Sequence, residues 1–416
     1  MIVRMMGFYV KILLFIEWVV LSFMSPEVWS GKILSMSVFL LTLFMLVKAM
    51  FRRNYYLAVL FFFMLDYSFQ PIRYYWYGEH INVRTVCETS HTVYLTALIL
   101  FLFLICLYSI LKWVNVSKRT LFAERKPSCF FLCIVLAFLC ITFGVTGSTI
   151  FASGGYSNSL QEGGRSSLFA YGIIPLTLSL LYADTKRKRQ VVYLIVAYFV
   201  IKNLLYGGRV ESLQLLLCMF LVRFQYVWSA KRVLLIGLLG YVFLTAWGTF
   251  RGDTTMSLTS DTFELDFGGN ASDVYYASMR VLYLIDIGAL DVYSRALSLL
   301  YFLASIVVPS SWLPRLANLS LYMTDTYSSG GGGLAPIFFF VFGGYLGVIA
   351  LAWFIGKSLN AIIKRKTSYV FVYTVFLVAT APRWFAYYPI QIVKFCVVGL
   401  LFYYIMEHMP KRLIRQ

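Results

Sequence analysis

Two stretches of the chain read almost alike and carry residue types suited to holding an anion: Gly163-Gly164-Arg165-Ser166-Ser167-Leu168 and Gly207-Gly208-Arg209-Val210-Glu211-Ser212-Leu213. Each sets a glycine pair and an arginine at the expected start of an apolar helix. Glycines let the backbone turn close to a ligand, and a helix start offers unpaired N–H groups at the positive end of its dipole. A guanidinium fork beside them fits two phosphate oxygens at once, so the combination is a seat for phosphate. The same pattern is also ordinary punctuation between helices, a glycine turn followed by an arginine that anchors at an interface. Arg251, in Arg251-Gly252-Asp253, leaves an apolar segment on the same face, so three arginines reach one depth if those helices are neighbours. Arg280 lies on an amphipathic piece expected to cover that mouth, facing either a ligand phosphate or lipid headgroups.

The carboxylates near these arginines are Glu162, Glu211 and Asp253. A carboxylate beside an arginine keeps a low pKa and serves better as a partner than as a general base, and Glu211 sits in a first helical turn, where an acid is favoured structurally. His80 and His91 fall in outer loops, with an ordinary pKa suited to acid–base work. No pair of His or Cys has metal-ligand spacing, and the acids of 253–273 look like a solvated loop, so no metal is expected. Gly330 to Gly333 form four consecutive glycines, either a nest that approaches phosphate or a flexible joint. Tyrosines and tryptophans such as Tyr275, Tyr276, Tyr283 and Trp312 could stack on sugars, or simply form an interfacial belt.

Positioning these groups falls to hydrophobic helices. The chain is 60% apolar, 19% aromatic and 13% charged, too apolar for a soluble domain, whose apolar share is nearer half. Twelve segments are expected to span a membrane: 7–24, 33–50, 57–70, 92–111, 130–145, 166–183, 191–205, 210–226, 233–249, 334–355, 369–381 and 390–406. The net charge of +18 is not gathered on a soluble domain, which argues against nucleic acid as a partner. Lys and Arg recur in alternate loops, including Lys186-Arg187-Lys188-Arg189 and Lys364-Arg365-Lys366, which places those loops and both termini in the cytoplasm. Residues 250–333 then form one large external loop within a single membrane domain spanning 1–416. That loop holds eight of the 18 acidic residues, four Arg and no Lys. It is expected to carry two helical pieces, at about 273–298 and 298–308, with Asp291 and Arg295 four apart on one face. Cys87 is the one cysteine expected in an exposed outer loop, so no disulfide framework is available there.

Gly207-Gly208-Arg209 opening a Leu-rich span, the late outer loop, and Gly332-Gly333-Leu334-Ala335-Pro336 running into Phe342-Gly343-Gly344-Tyr345-Leu346-Gly347 together resemble the Wzy-type O-antigen or oligosaccharide repeat-unit polymerases. That resemblance implies an all-α, polytopic helical bundle of the GT-C class in the bacterial inner membrane. It implies a metal-independent, cofactor-free inverting glycosyltransferase. Such an enzyme moves a growing glycan from undecaprenyl pyrophosphate to the next lipid-linked repeat unit on the periplasmic side, with a chain-length regulator protein as a further partner. The family's essential outer arginines map onto Arg165 and Arg209, then Arg251 and Arg280, as pyrophosphate ligands, and Glu211 and Asp253 join Arg165 and Arg209 as the catalytic set. A flippase for the lipid-linked oligosaccharide and an O-antigen ligase are the alternatives. The ligases are associated with a functional His in the late loop, which 250–333 lacks.

Overall fold

The computed structural model describes residues 2–82, 85–116, 129–143, 167–205, 209–252, 269–308, 312–327, 331–364 and 367–409. Among them every regular element is helical, and five helices are long and apolar enough to cross a membrane: Val28–Phe51, Tyr55–Tyr77, Ser90–Ile110, Ala335–Ile363 and Gln391–His408. Among the described residues each of the twelve segments expected from hydropathy overlaps a helix, and five of them lie on the helices just named. Large apolar side chains such as Phe8, Leu13, Trp29, Phe51 and Leu346 stand exposed on helix surfaces, as they do on a helical membrane protein with lipid around it.

The chain divides into two compact units. The first contains α1 (Ile2–Phe23), α2 (Val28–Phe51), α3 (Tyr55–Tyr77), α4 (Ser90–Ile110), α11 (Gly269–Asp286), α12 (Val292–Ala304), α13 (Leu319–Tyr327), α14 (Ala335–Lys364) and α16 (Ala381–Trp384). Its centre is α4, which is buried almost without interruption from Thr92 to Tyr108. A helix apolar all round needs neighbours all round, and α1, α2, α11 and α14 provide them. The second unit contains α5 (Cys129–Phe143), α6 (Ser167–Tyr171), α7 (Ile173–Tyr182), α8 (Lys186–Leu205), α9 (Val210–Val222), α10 (Ala230–Gly252) and α15 (Ser368–Ala379). Here α5 lays Cys129, Cys133, Ala137 and Ile141, a stripe of period four, toward α7, and α9 packs between α7, α8 and α15. Residues 391–394 of α17 (Gln391–His408) belong to the first unit and the remainder to the second.

Several expectations for 250–333 change. The helix break falls at 287–291 and not at Ser298, because Gly288 takes a left-handed φ of 74° and Asp291 caps the next helix, accepting from the Ser294 N–H at 2.8 Å. Asp291 and Arg295 therefore serve separate ends: the Arg295 guanidinium donates to Val341 O at 2.8 Å and Phe340 O at 3.4 Å. Those carbonyls need a donor because α14 is interrupted at Gly343 (φ −149°, ψ 23°) and Gly344 (φ 59°, ψ −148°). The single span expected over 334–355 is thus a broken helix. Nor is α11 an amphipathic cover: Val274 through Met279, Val281, Leu282 and Leu284 are all buried, and the helix lies inside its unit against α3, α4, α13 and α14.

Cys87, expected in an exposed loop, is fully buried beside the Tyr276 hydroxyl and the Arg280 guanidinium, and burial pushes its thiol pKa up. A thiolate is the reactive form. In a variant whose other six cysteines are replaced by serine or alanine, Cys87 is expected to react with a maleimide on the order of tenfold or more slowly in the folded protein than in denaturant. Raising the pH should increase the native rate. Equal rates in both states would show that the thiol is open.

Candidate functional site

Arg209 opens α9, which packs against α8 to make a helical hairpin in the second unit. Arg209 is the N-cap of α9 but supplies no side-chain cap bond, and the first cap-accepted N–H is that of Leu213, at 2.9 Å from Arg209 O. The opening turn of α9 thus carries N–H groups at the positive end of the helix with no capping oxygen from residue 209. The Arg209 side chain turns to α10, where Nη1 donates to Leu244 O at 3.0 Å. Arg251 lies seven residues further along the same helix, roughly 10 Å along its axis. Glu211 shares the first turn of α9 and is buried, as befits an acid satisfied near a helix start.

The two arms of this hairpin bury an unusual amount of polar chemistry for such apolar helices. Asn203, in the last turn of α8, is fully buried and donates through Nδ2 to Ser212 Oγ on α9 at 2.8 Å. Ser212 Oγ also reaches Val200 O at 3.4 Å, and Gln214 lies buried one turn beyond Glu211. Lys202 is only 8% exposed, its ammonium 3.4 Å from the Tyr198 hydroxyl and 5.6 Å from that ring's centroid. Among the described residues it meets a tyrosine and no carboxylate, and basic residues buried in membrane helices are candidates for ligand or ion sites. Lys202 and Asn203 were missed as functional residues. Their signal in the sequence was Lys202-Asn203 interrupting an apolar run just before the glycine pair.

Other expected residues fall elsewhere. Arg165 and Asp253 lie outside the described residues, as do Gly207 and Gly208. Arg280 belongs to the first unit, on buried α11, beside Cys87 and Tyr276. His80 Nδ1 lies 3.2 Å from Glu88 Oε1, and the buried Glu88 carboxylate also accepts the backbone N–H groups of Ile81 and Asn82, closing the segment between α3 and α4 on itself. His91 pairs with Asp286 at 3.1 Å, joining the start of α4 to the end of α11.

Gly330 lies outside the described residues, and Gly332 and Gly333 form neither an open phosphate nest nor a loose joint. Gly332 N donates to Ser320 Oγ (2.6 Å), Gly333 N to Ala386 O (3.0 Å), Leu334 N to Ser278 Oγ (2.8 Å) and Ala335 N to Phe385 O (2.7 Å). Gly332 and Gly333 have φ of 121° and 139°, and a Cβ would meet Ala386 O at 2.9 Å and the Phe338 ring at 2.6 Å. These glycines let one strap of chain pass tightly between three helices. Among the described residues no three His, Cys, Asp or Glu side chains converge as metal ligands would.

The hairpin thus carries a buried lysine, a half-buried guanidinium and a helix start that the Arg209 side chain does not cap, residue types suited to an anion. Comparison of the chain with protein-family models, with curated proteins and with solved structures finds no match, so this chemistry and the sequence pattern carry the functional reading by themselves.

Proposed function

We propose that the chain polymerises lipid-linked oligosaccharide repeat units of a bacterial surface polysaccharide, and that the α8–α9 hairpin binds the pyrophosphate of the lipid-linked donor. The observation that carries this reading is the pair of cations on two packed helices, Lys202 buried near the end of α8 and Arg209 at the start of α9. In the reaction, a sugar hydroxyl of the incoming unit attacks the anomeric carbon of the growing glycan. The new glycosidic C–O bond forms as the bond to pyrophosphate breaks, the lipid diphosphate leaves with the electron pair, and the hydroxyl proton passes to a base. Negative charge grows on the leaving oxygen, so preorganised cations and helix N–H groups act where they lower the barrier. Glu211 and Asp253 are the carboxylates proposed for the proton, and Arg165 and Arg251 complete the cation set.

The same proposal makes the protein a twelve-span, GT-C-like bundle of the inner membrane, with both termini cytoplasmic, 250–333 periplasmic and a chain-length regulator as partner. A flippase is the second reading, favoured by one feature: α14 is discontinuous at Gly343–Gly344, and transporters commonly build their substrate sites from broken helices. Incubating the purified protein with one defined lipid-linked repeat unit, with and without chelator, separates the two. Chain growth in both conditions is the expected result; movement of the unit across a bilayer with no growth would replace the polymerase by the flippase.

A further inference from the structure

Within the first unit, several helix segments gather cations with no acid beside them among the described residues. The start of α1, the last turn of α2, the start of α3 and the ends of α4 and α14 come together there. Lys11 Nζ donates to Ser109 O at 2.9 Å, Lys48 Nζ to Tyr108 Oη at 3.3 Å and Asn54 Nδ2 to Val114 O at 3.4 Å. Asn360 Nδ2 donates to Ile110 O at 2.8 Å, and its Oδ1 accepts from Lys112 N at 2.8 Å. Two ammonium groups from different helices are thus brought to consecutive residues of α4. Lys48 is further fixed over three rings, 4.8 Å from the centroids of Tyr108 and Trp113 and 5.3 Å from that of Phe44. Arg52 follows one turn later, and both it and Lys11 repel the Lys48 charge.

Repulsion of this kind is normally relieved by a carboxylate. Residues 1–16, 44–60, 105–116 and 357–364 contain no Asp or Glu, and the ion pairs described for this unit, Arg73–Glu79, His80–Glu88 and His91–Asp286, lie at other positions. Arg53, beside Arg52, holds a left-handed φ of 49°, a position that glycine or asparagine fills more cheaply. The fold therefore brings these positive charges together with no carboxylate beside them among the described residues.

We propose that Lys11, Lys48 and Arg52 form a binding site for the phosphodiester of an anionic membrane lipid. A lipid fits better than a soluble phosphate because the cations sit among rings and beside exposed apolar groups: Phe44 and Phe51, on the same turns as Lys48 and Arg52, are 48% and 84% exposed. Cation, ring and apolar surface together match the boundary between headgroup and acyl chain. The site is independent of the α8–α9 hairpin and of any glycan chemistry.

The test uses the full-length protein in neutral detergent, analysed by native mass spectrometry with phosphatidylglycerol or phosphatidylcholine added. Phosphatidylglycerol should be retained and phosphatidylcholine lost. Lys11→Gln with Lys48→Gln should weaken phosphatidylglycerol binding on the order of thirtyfold, at about fivefold for each basic residue removed. Lys11→Arg with Arg52→Lys, which keeps the charge, should bind nearly as wild type, and unchanged melting in phosphatidylcholine shows that the Gln variant is folded. If millimolar inorganic phosphate binds in a Lys48-dependent way and displaces the lipid, the phosphate site stands and its ligand is a soluble one. Equal retention of the two lipids, or undiminished phosphatidylglycerol binding by the Gln variant, would overturn the proposal.

Discussion

Cells whose only copy of this protein carries Arg209→Ala are expected to lose their long polysaccharide ladder while keeping normal amounts of the protein. Two effects of the substitution have to be separated. Arg209 ties the start of α9 to Leu244 O on α10, and a charge-assisted hydrogen bond of this type contributes about 1.5–3 kcal/mol to stability. Its loss lowers the folded fraction and would show as reduced abundance. Removing a preorganised cation from a charged leaving group instead costs on the order of 10²–10³ in rate. That effect appears per molecule, whatever the abundance. Arg209→Lys divides them further: an ammonium can still donate to Leu244 O and still carries charge, but it lacks the fork that holds two phosphate oxygens, so short ladders are expected. Lys202→Met removes the buried ammonium without disturbing the Asn203–Ser212 link and should fall to the same level as Arg209→Ala. Full ladders from both variants, with each protein present at wild-type levels, would remove pyrophosphate binding from the hairpin.

The helices were legible because an apolar run announces itself locally: twenty residues without charge can satisfy their own backbone in lipid, and nothing distant changes that. What sequence concealed was wherever a distant group decided the outcome. The Gly343-Gly344 pair looks like two small residues inside a span, and only the backbone angles with Arg295 across from them show an interrupted helix. Ser278 and Arg280 gave α11 an amphipathic look, yet Ser278 Oγ accepts from Leu334 N and the helix is enclosed. Lys202 lies near a span end in the sequence, and its burial goes with the packing of α9 against α8. Arg295 read as lying four residues from Asp291 on one helix face, but its guanidinium fork suits a pair of freed carbonyls. At the candidate site, the glycine-arginine motif was readable and its neighbours Lys202 and Asn203 were not.

Gly347→Ala is expected to be the most damaging single-methyl addition in the first unit. Where α14 breaks, the chain passes so close to its own preceding turn that a Cβ on Gly347 would lie 2.0 Å from Phe339 O and 3.0 Å from the Phe339 carbonyl carbon. Both obstacles are backbone, so no side-chain rotation relieves them, and the break itself must open. Gly344→Ala meets nothing within 4 Å, but it forces an L-residue into φ 59°, ψ −148°, at a strain of about 1–3 kcal/mol. Gly343→Ala is the control, having open space and a negative φ, and should melt close to wild type. Arg295→Ala tests the other half of the device. It leaves Val341 O and Phe340 O without their donor in a largely apolar setting, a loss of about 1–3 kcal/mol for each buried carbonyl left unmet. Thermal unfolding of the detergent-solubilised protein, followed by loss of the monodisperse peak in size exclusion, should rank Gly347→Ala below Arg295→Ala and Gly344→Ala, with Gly343→Ala near wild type. If Gly347→Ala melts with wild type, the chain does not double back at this point. If Gly343→Ala and Gly344→Ala melt alike, the left-handed residue is not what holds the two halves of the helix apart.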